Sequence, residues 1–330
     1  MASDIAVGVD FGGTKVLASV VDIKTGKILG SAKKRTDQHD NPKELGERLF
    51  GTIDEALKSA GLSKKQQITG IGVGIAGQVD SENGVLLGAP NLSQATVNLP
   101  LAEMLKKRYD VPATLLNDVQ IAAIGESAFG AGKDMDNFLC VFVGTGIGGA
   151  FVQNGDLVRG ASGSAGEIGH LVIDANGRLC GCGGRGHLEA YASRTAMTLA
   201  IIGELKRGRS SILTKLAPDL KDDAPGGTAL RSGILAKAID EKDDLCIDAV
   251  RDAAYYLGLG LASAINLLNP PRIILGGGVI ESVSMLFDLA SKHARQEALA
   301  TPGKAVEIVR AELGDNSGVV GAAITGARAT

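Results

Sequence analysis

Tryptophan is absent, aromatic residues make up only 3%, and four cysteines are spread over 330 residues. Those cysteines, Cys140, Cys180, Cys182 and Cys246, are too few to frame a secreted, disulfide-stapled fold of this size. An excess of charge is missing as well: 34 basic side chains face 37 acidic ones, and no run of like charges forms a basic arm or an acidic tail. That balance argues against nucleic acid or an anionic membrane as the main partner. The opening "MASDIAVGVDFGG" has neither the basic start nor the apolar stretch of a secretory signal. The least charged stretch, 137–155, is broken by glycines and reads as a buried strand-turn-strand rather than a membrane span. No Walker-A sequence occurs. What these absences leave is a cytosolic enzyme, expected in the cytoplasm.

Glycine, by contrast, is abundant at 46 residues, within a chain that is 45% hydrophobic. Such a composition fits an α/β protein with many tight strand-to-helix turns better than a β-sandwich. The length allows one large domain or two modest ones, each with a real core.

Two units share one order of apolar strand, Gly/Thr turn and apolar strand: "IAVGVDFGGTKVLASVVD" at 5–22 and "FLCVFVGTGIGGAFVQNGDLV" at 138–158. Their recurrence suggests a duplicated fold with two similar α/β halves. Between them, 41–61 reads as a helix: Asn41 caps it, Pro42 opens it, Gly61 ends it, and Leu45, Leu49, Ile53, Ala56, Leu57 and Ala60 form its apolar stripe. Strands are predicted at 68–80 and 113–118, the latter followed by a helix. A long helix over 245–271 is stopped by two prolines, and "RIILGGGV" at 272–279 is a buried strand opening into glycines. A helix, a strand near 305–313 and a last helix follow. Segment 208–231 reads as a polar, irregular connection.

"GTGIGG" at 144–149 formally matches a dinucleotide-binding fingerprint, but that fingerprint needs a helix directly after the glycines. Here "AFVQNGDLV" follows, strand-like with a turn, so that reading fails on context. The turns at Gly12-Gly13-Thr14 and Gly144-Thr145-Gly146 instead suit phosphate, because glycine lets backbone amides approach anionic oxygens and threonine adds a hydroxyl. Singly, each is also compatible with a plain hairpin; the pair, together with "LGGGV", strengthens the signal.

Three side-chain groups carry two readings each. Asp10, at the end of the first strand, is either a carboxylate serving a hydrated Mg²⁺ or a turn cap. Asp118, after "ATLLN", sits either at a rigid catalytic position beyond a strand or as the N-cap of the next helix. In "LCGCGGRGHLEAYAS", Cys180 and Cys182, with His187 and the earlier His170, form either a zinc clip or a turn with incidental cysteines. The remaining histidines, His39 and His293, read as solvated surface residues.

Taken together and in order, "DFGGTK" (10–15), "LLND" (115–118), "GTGIGGA" (144–150), "GEIGH" (166–170), "CGCGGRGHLEAYAS" (180–193) and "LGGGV" (275–279) resemble the ROK sugar kinases, nearest to their bacterial glucokinases. The resemblance spans essentially the whole chain. It implies a duplicated actin-like (ribonuclease H-like) ATPase fold of two lobes around a cleft: a small α/β domain of 1–117 plus 312–330, and a large one of 118–311 holding a zinc loop. It implies Asp118 as the general base, with Asn117, Glu167, His170, Glu189 and Asn91 binding the sugar hydroxyls. Asp10, Gly12, Gly13, Thr14 and Lys15 would serve the phosphates of ATP with Mg²⁺, as would Gly144, Thr145, Gly146 and Gly148, while Gly276, Gly277 and Gly278 would lie on the adenosine side. Structural Zn²⁺ would be bound by His170, Cys180, Cys182 and His187. At position 187 the family's third cysteine is replaced by histidine, itself a zinc ligand, so the site reads as preserved with two Cys and two His. Metal on one ring nitrogen of His170 would fix its tautomer and leave the other nitrogen to the sugar. The implied reaction is phosphorylation of a hexose at the 6-hydroxyl, with D-glucose favoured over N-acetylhexosamines, mannose or fructose and ATP over polyphosphate. The implied partners are hexose and nucleotide, with no nucleic acid or membrane, and the implied assembly is a homodimer. The family also contains sugar-binding repressors with an N-terminal helix-turn-helix; the first strand, beginning at Ile5, leaves no room for one.

Overall fold

The structure, a computed structural model, describes residues 4–12, 15–35, 41–62, 68–89, 97–221 and 230–329. The predicted site residues Gly13, Thr14 and Asn91, and the surface candidate His39, lie outside the described residues. Contacts divide the chain into two compact units: 1–136, 150–165 and 311–330 in the first, and 137–149 and 166–310 in the second.

The first unit opens with an antiparallel meander of β1 (Ile5–Phe11), β2 (Lys15–Asp22) and β3 (Ile28–Arg35). Helix α1 (Pro42–Ser59) follows, started as predicted: Asn41 Oδ1 accepts the amides of Lys43 and Glu44, and Glu44 answers by accepting the amide of Asn41. Its Leu45, Leu49, Ile53, Ala56 and Leu57 are buried in the core that includes Val7, Val16, Ile71 and Leu115. Then come β4 (Ile71–Ile75), the short antiparallel pair β5 (Gln78–Asp80) and β6 (Val85–Gly88), α2 (Leu101–Tyr109), β7 (Ala113–Asn117) and α3 (Asp118–Phe129). The single strand predicted over 68–80 is thus two. Strands β4 and β7 join β1 in parallel, giving the sheet order β3-β2-β1-β4-β7.

The second sheet repeats this plan. Strands β8 (Phe138–Val143), β9 (Ile147–Gln153) and β10 (Asp156–Leu157) take the place of the meander. Parallel strands β11 (Arg272–Gly276) and β12 (Glu307–Arg310) complete the order β10-β9-β8-β11-β12. Two sheets with the same strand order and directions are what duplication predicts, and the chain has a duplicated α/β fold. A strand follows "GTGIGG", as its context required. Between β10 and β11 lie α4 (Glu189–Ala192), α5 (Arg194–Lys206), α6 (Leu213–Leu216), α7 (Ser232–Asp240) and the long α8 (Asp244–Leu268). Helix α8 is capped by Asp243, whose Oδ1 accepts the Cys246 amide, and ends at left-handed Asn269 just before the two prolines. Past β11 come α9 (Gly278–Ser282), α10 (Ser284–Glu297) and α11 (Ala300–Ala305). His293 on α10 is not a freely solvated side chain: half-buried, its ring stands edge-on to Tyr255 with centroids 5.5 Å apart.

Helix α12 (Ser317–Ala327) closes the first unit, and its small residues explain how. A Cβ on Gly8, Gly72 or Gly125 would collide with backbone carbonyls of Val319, Ala322 or Ser317, so sheet, α3 and α12 approach backbone to backbone. Because α3 packs on α12 in this way, it belongs to the first unit, whereas the reading from sequence opened the second lobe at residue 118. Among the described residues, no helix is long and apolar enough to cross a membrane.

Candidate active site

In the first unit, register places the acidic residues. Asp10 pairs with Gly74, and Ile75 with Asn117, so Asp10 and Asn117 reach the same C-terminal edge of three parallel strands. That edge is where open parallel sheets bind ligands. Asn117 is the N-cap of α3: its Oδ1 accepts the amides of Val119 at 2.9 Å and Gln120 at 3.4 Å. Asp118 is therefore the first helical residue rather than the cap, and its own Oδ1 accepts the Val119 amide at 2.9 Å. Next to a helix N-terminus a carboxylate is electrostatically well placed.

Burial pushes the Asp10 carboxyl up to about 6; the negative charge of Asp118 adds to the rise, Lys15 opposes it, Asp315 raises it further and Lys33 opposes. Close packing makes this neighbourhood: a Cβ on Gly318, at the start of α12, would lie 3.5 Å from the Cβ of Asp10. Nearby, the Gly12 amide donates to the Lys15 carbonyl at 2.9 Å, closing the first Gly/Thr turn. Behind it, fully buried Glu126 on α3 accepts the amides of Ala131, Glu312 and Leu313 and the hydroxyl of Ser317, tying α3 to the segment that carries Asp315.

In the second unit, the turn between β8 and β9 is built from Gly144, exposed Thr145 and Gly146, with the Gly144 amide donating to the Gly146 carbonyl at 2.9 Å. Gly148 lies within β9. The start of α5 grips the turn: the Arg194 amide donates to the Gly144 carbonyl at 2.9 Å and the Thr195 hydroxyl to the Thr145 carbonyl at 2.8 Å. On Gly146, a Cβ would run into the Glu189 carboxylate, which accepts the Ile147 amide at 2.8 Å. Gly276 ends β11 opposite Phe142, and Gly278 opens α9. Gly277 between them has φ of +90°, and a Cβ there would press on the Val143 backbone, so only glycine fits.

The opening cysteine loop folds into a knuckle. Bridges pair Val172 with His187 and Leu179 with Arg185, while the Cys180 amide donates to Gly184 and the Gly183 amide returns to Cys180. Gly184 leaves room for the His187 ring. One ligand atom from each of His170, Cys180, Cys182 and His187 falls within 4.8 Å of all the others. His170 Nδ1 lies 3.4 Å from His187 Nδ1, and Cys182 Sγ lies 3.2 Å from His187 Nδ1. Tetrahedral zinc, with Zn–N and Zn–S bonds of about 2.0–2.3 Å, sets ligand atoms roughly 3.3–3.8 Å apart, so the donors fit that ion. The His170 ring turns its other nitrogen, Nε2, toward Glu167 at 3.9 Å. Glu167's carboxyl is pushed up by burial and by Glu189, with His170 opposing. Burial likewise raises the Cys180 thiol to about 11.

Glu167, His170 and Glu189 thus come together with the Cys/His cluster, and Glu189 adds a connection that spacing did not disclose. One of its oxygens takes the Ile147 amide, while the other lies 3.8 Å from the Cys180 thiol. Arg194 and Glu126 were also missed. The first sits in "ASRTAM" with no motif around it, and the partners of the second lie up to 191 residues away.

A duplicated α/β fold carrying paired carboxylates, two glycine turns and a Cys/His knuckle defines a class of nucleotide- and sugar-handling proteins. The chain matches the ROK family over residues 6–328, and it belongs to that family. It is 33% identical to a glucokinase of Halalkalibacterium halodurans over 316 residues, covering 96% of this chain and 92% of that protein. It is 28% identical to the xylose repressor of Bacillus subtilis, covering 96% of this chain and 75% of the repressor. Among solved structures it resembles a ROK family glucokinase from Streptomyces griseus in complex with glucose and AMPPNP. That match has a TM-score of 0.83 and 30% identity, over 98% of this chain and 99% of that one.

Proposed function

We propose that this protein is a hexokinase that transfers a phosphoryl group from ATP to the 6-hydroxyl of D-glucose, with Asp118 as the general base. The observation that carries the reading is Asp118 beside desolvated Asp10, at the strand edge that a ligand would occupy. The relatives named glucokinases, one of them solved with glucose and AMPPNP, support the same substrates here.

Phosphoryl transfer depends on positioning and charge neutralisation more than on covalent chemistry. Asp118 accepts the hydroxyl proton as the oxygen attacks, a contribution of about 10²–10⁴-fold. Asn117, Glu167, His170 and Glu189 hydrogen-bond the other hydroxyls, and Asn91 joins them. Asp10 and Lys15 serve the donor phosphates, as do Gly12, Gly13, Thr14 and the turn Gly144-Thr145-Gly146; Gly148 supports that turn, and Gly276–Gly278 face the adenosine. Mg²⁺ bound with ATP supplies neutralisation of the phosphate charge. Asp10 suits it, because a carboxyl held up near 6 by burial and a second carboxylate is relieved by a cation. His170, Cys180, Cys182 and His187 would hold a structural Zn²⁺, which would fix the His170 ring and leave its Nε2 for sugar. The enzyme works as a cytoplasmic homodimer, as the resemblance implies.

Formation of sugar phosphate tests this with glucose, mannose, fructose and N-acetylglucosamine, with ATP·Mg²⁺ or polyphosphate as the donor. Glucose with ATP is expected to give the highest kcat/KM. Tenfold more efficient turnover of another sugar would overturn the substrate, not the kinase. The repressor relative supports a second reading, a non-catalytic sugar sensor, which would bind sugar in calorimetry and form no sugar phosphate.

A further inference from the structure

Arg194 opens α5 with its guanidinium on the turn between β8 and β9: Nη2 donates to the Thr145 hydroxyl at 2.6 Å. Most arginines of this chain with a charged neighbour pair with a carboxylate, as Arg178 does with Asp252, Arg209 with Asp248 and Arg272 with Glu307. Among the described residues Arg194 has none. Its Nε is shut off from water with no hydrogen-bond partner, and burial alone lowers its pKa. A half-buried cation without a counter-ion is costly unless an anion joins it.

The surroundings specify the anion. Thr145 Oγ accepts from Arg194, so its own proton is left to donate elsewhere. The first turn of α5 contains no acidic residue, and its leading amides are taken, Arg194 by the Gly144 carbonyl and Ala196 by the Ser193 hydroxyl, so the charge offered here is the guanidinium's. Guanidinium, hydroxyl and a glycine turn together offer several donors, and the carboxylate beside the turn, Glu189, already accepts the Ile147 amide. A guanidinium fork matches the tetrahedral oxygens of phosphate.

We propose that Arg194 is a phosphate-binding residue whose guanidinium, with the Thr145 hydroxyl and the 144–146 turn, takes the oligophosphate chain of the nucleotide donor. The assignment rests on the kinase reading for its biological sense, though not for its test. In the transfer reaction such a cation neutralises charge that the glycine turn alone cannot.

The test is binding rather than turnover, with the full chain in EDTA and fluorescent analogues of ATP and AMP. Arg194→Ala is expected to weaken the ATP analogue about ten- to a hundredfold, the loss of charge-assisted hydrogen bonds, while leaving the AMP analogue within about twofold. Arg194→Lys, which keeps the charge without the fork, should recover part of the ATP affinity. Competition by inorganic tripolyphosphate should weaken with the alanine variant by a similar factor, which assigns the effect to the phosphate chain rather than the nucleoside. Equal losses for ATP and AMP would make Arg194 a brace for the turn and overturn the assignment, as would unchanged ATP affinity. A wild-type chain that binds ATP through Arg194 yet phosphorylates no hexose removes the kinase reading and leaves this one. An active hexokinase whose ATP affinity ignores Arg194→Ala does the reverse.

Discussion

Replacing Asp10 by asparagine should stabilise the protein while disabling it. The carboxyl stands near 6 in the folded chain against 3.8 when unperturbed, a rise caused first by burial and then by Asp118. At about 1.4 kcal/mol per unit this is about 3 kcal/mol of unfavourable ionisation; the residue's partial exposure trims it to about 1–3 kcal/mol. The sign follows from proton binding. Between the unfolded and folded values, the folded chain holds the proton more tightly, so this group's contribution to stability is complete below about 4. It is lost as pH rises through about 6. Asparagine has nearly the same shape and no charge to desolvate. In urea unfolding with EDTA at pH steps from 4 to 8, Asp10→Asn and wild type should be nearly equal at the acid end. The variant should gain through the interval and stay about 1–3 kcal/mol ahead above pH 7. Carboxylates away from Asp10 titrate in both proteins alike, so the difference reports Asp10 together with its repulsion of Asp118 and Asp315. Phosphoryl transfer by the variant should fall at least ~10²-fold if Asp10 serves the donor phosphates. A gap that does not change with pH, or a variant less stable than wild type at pH 7.5, would refute the desolvation argument.

Asp118→Asn should retain folding and sugar binding while kcat falls by at least ~10²; turnover above a tenth of wild type would reduce Asp118 to a helix-terminal carboxylate. One zinc per chain is expected by elemental analysis of protein purified without chelator, kept in His187→Cys and largely lost in His187→Ala, because structural sites close with four ligands. Glu126→Gln places an NH₂ against amides or a hydroxyl that now donate to the carboxylate, and should cost about 2–4 kcal/mol in urea unfolding. A loss under 1 kcal/mol would mean that the segment before α12 is held by other contacts.

Local patterns were legible wherever the residues concerned stay close together in the chain. The capping of α1 could be read from "NPKE" because all its partners lie within four residues, and the strand after "GTGIGG" was fixed by the β-like run that follows. The cysteine knuckle was legible for the same reason: Cys180, Cys182 and His187 share one tight loop. The two readings of Asp118 could not be separated from sequence, since either residue of "ND" makes an acceptable cap; the fold removes the cap reading by showing Asn117 taking both amides. Helices α2, α5 and α7 were overlooked. Helix α5 carries almost no apolar stripe, because Leu199 stands 62% exposed while Thr198 is buried, and periodicity therefore fails to mark it. The small-residue run of α12 signalled a helix, but not that its backbone would lie against Gly8 and Gly72, a match made across more than two hundred residues.

Glu189 shows why a site of this kind resists assembly from motifs. Read along the chain, it belongs to the cysteine loop and would be assigned to the sugar alone. In the fold, one oxygen holds the Ile147 amide at the end of the 144–146 turn and the other faces Cys180 of the knuckle. Four residues later Ser193 caps α5, whose first residue grips the same turn through Gly144 and Thr145. The cysteine loop, the carboxylate and the 144–146 turn are therefore braced by a segment of six residues, 189–194. A shift in the knuckle reaches the turn through one side chain, without needing to pass through the core. Were an ion bound, holding Cys180 in place would limit where Glu189 can rest, and with it the Ile147 amide and the turn before it.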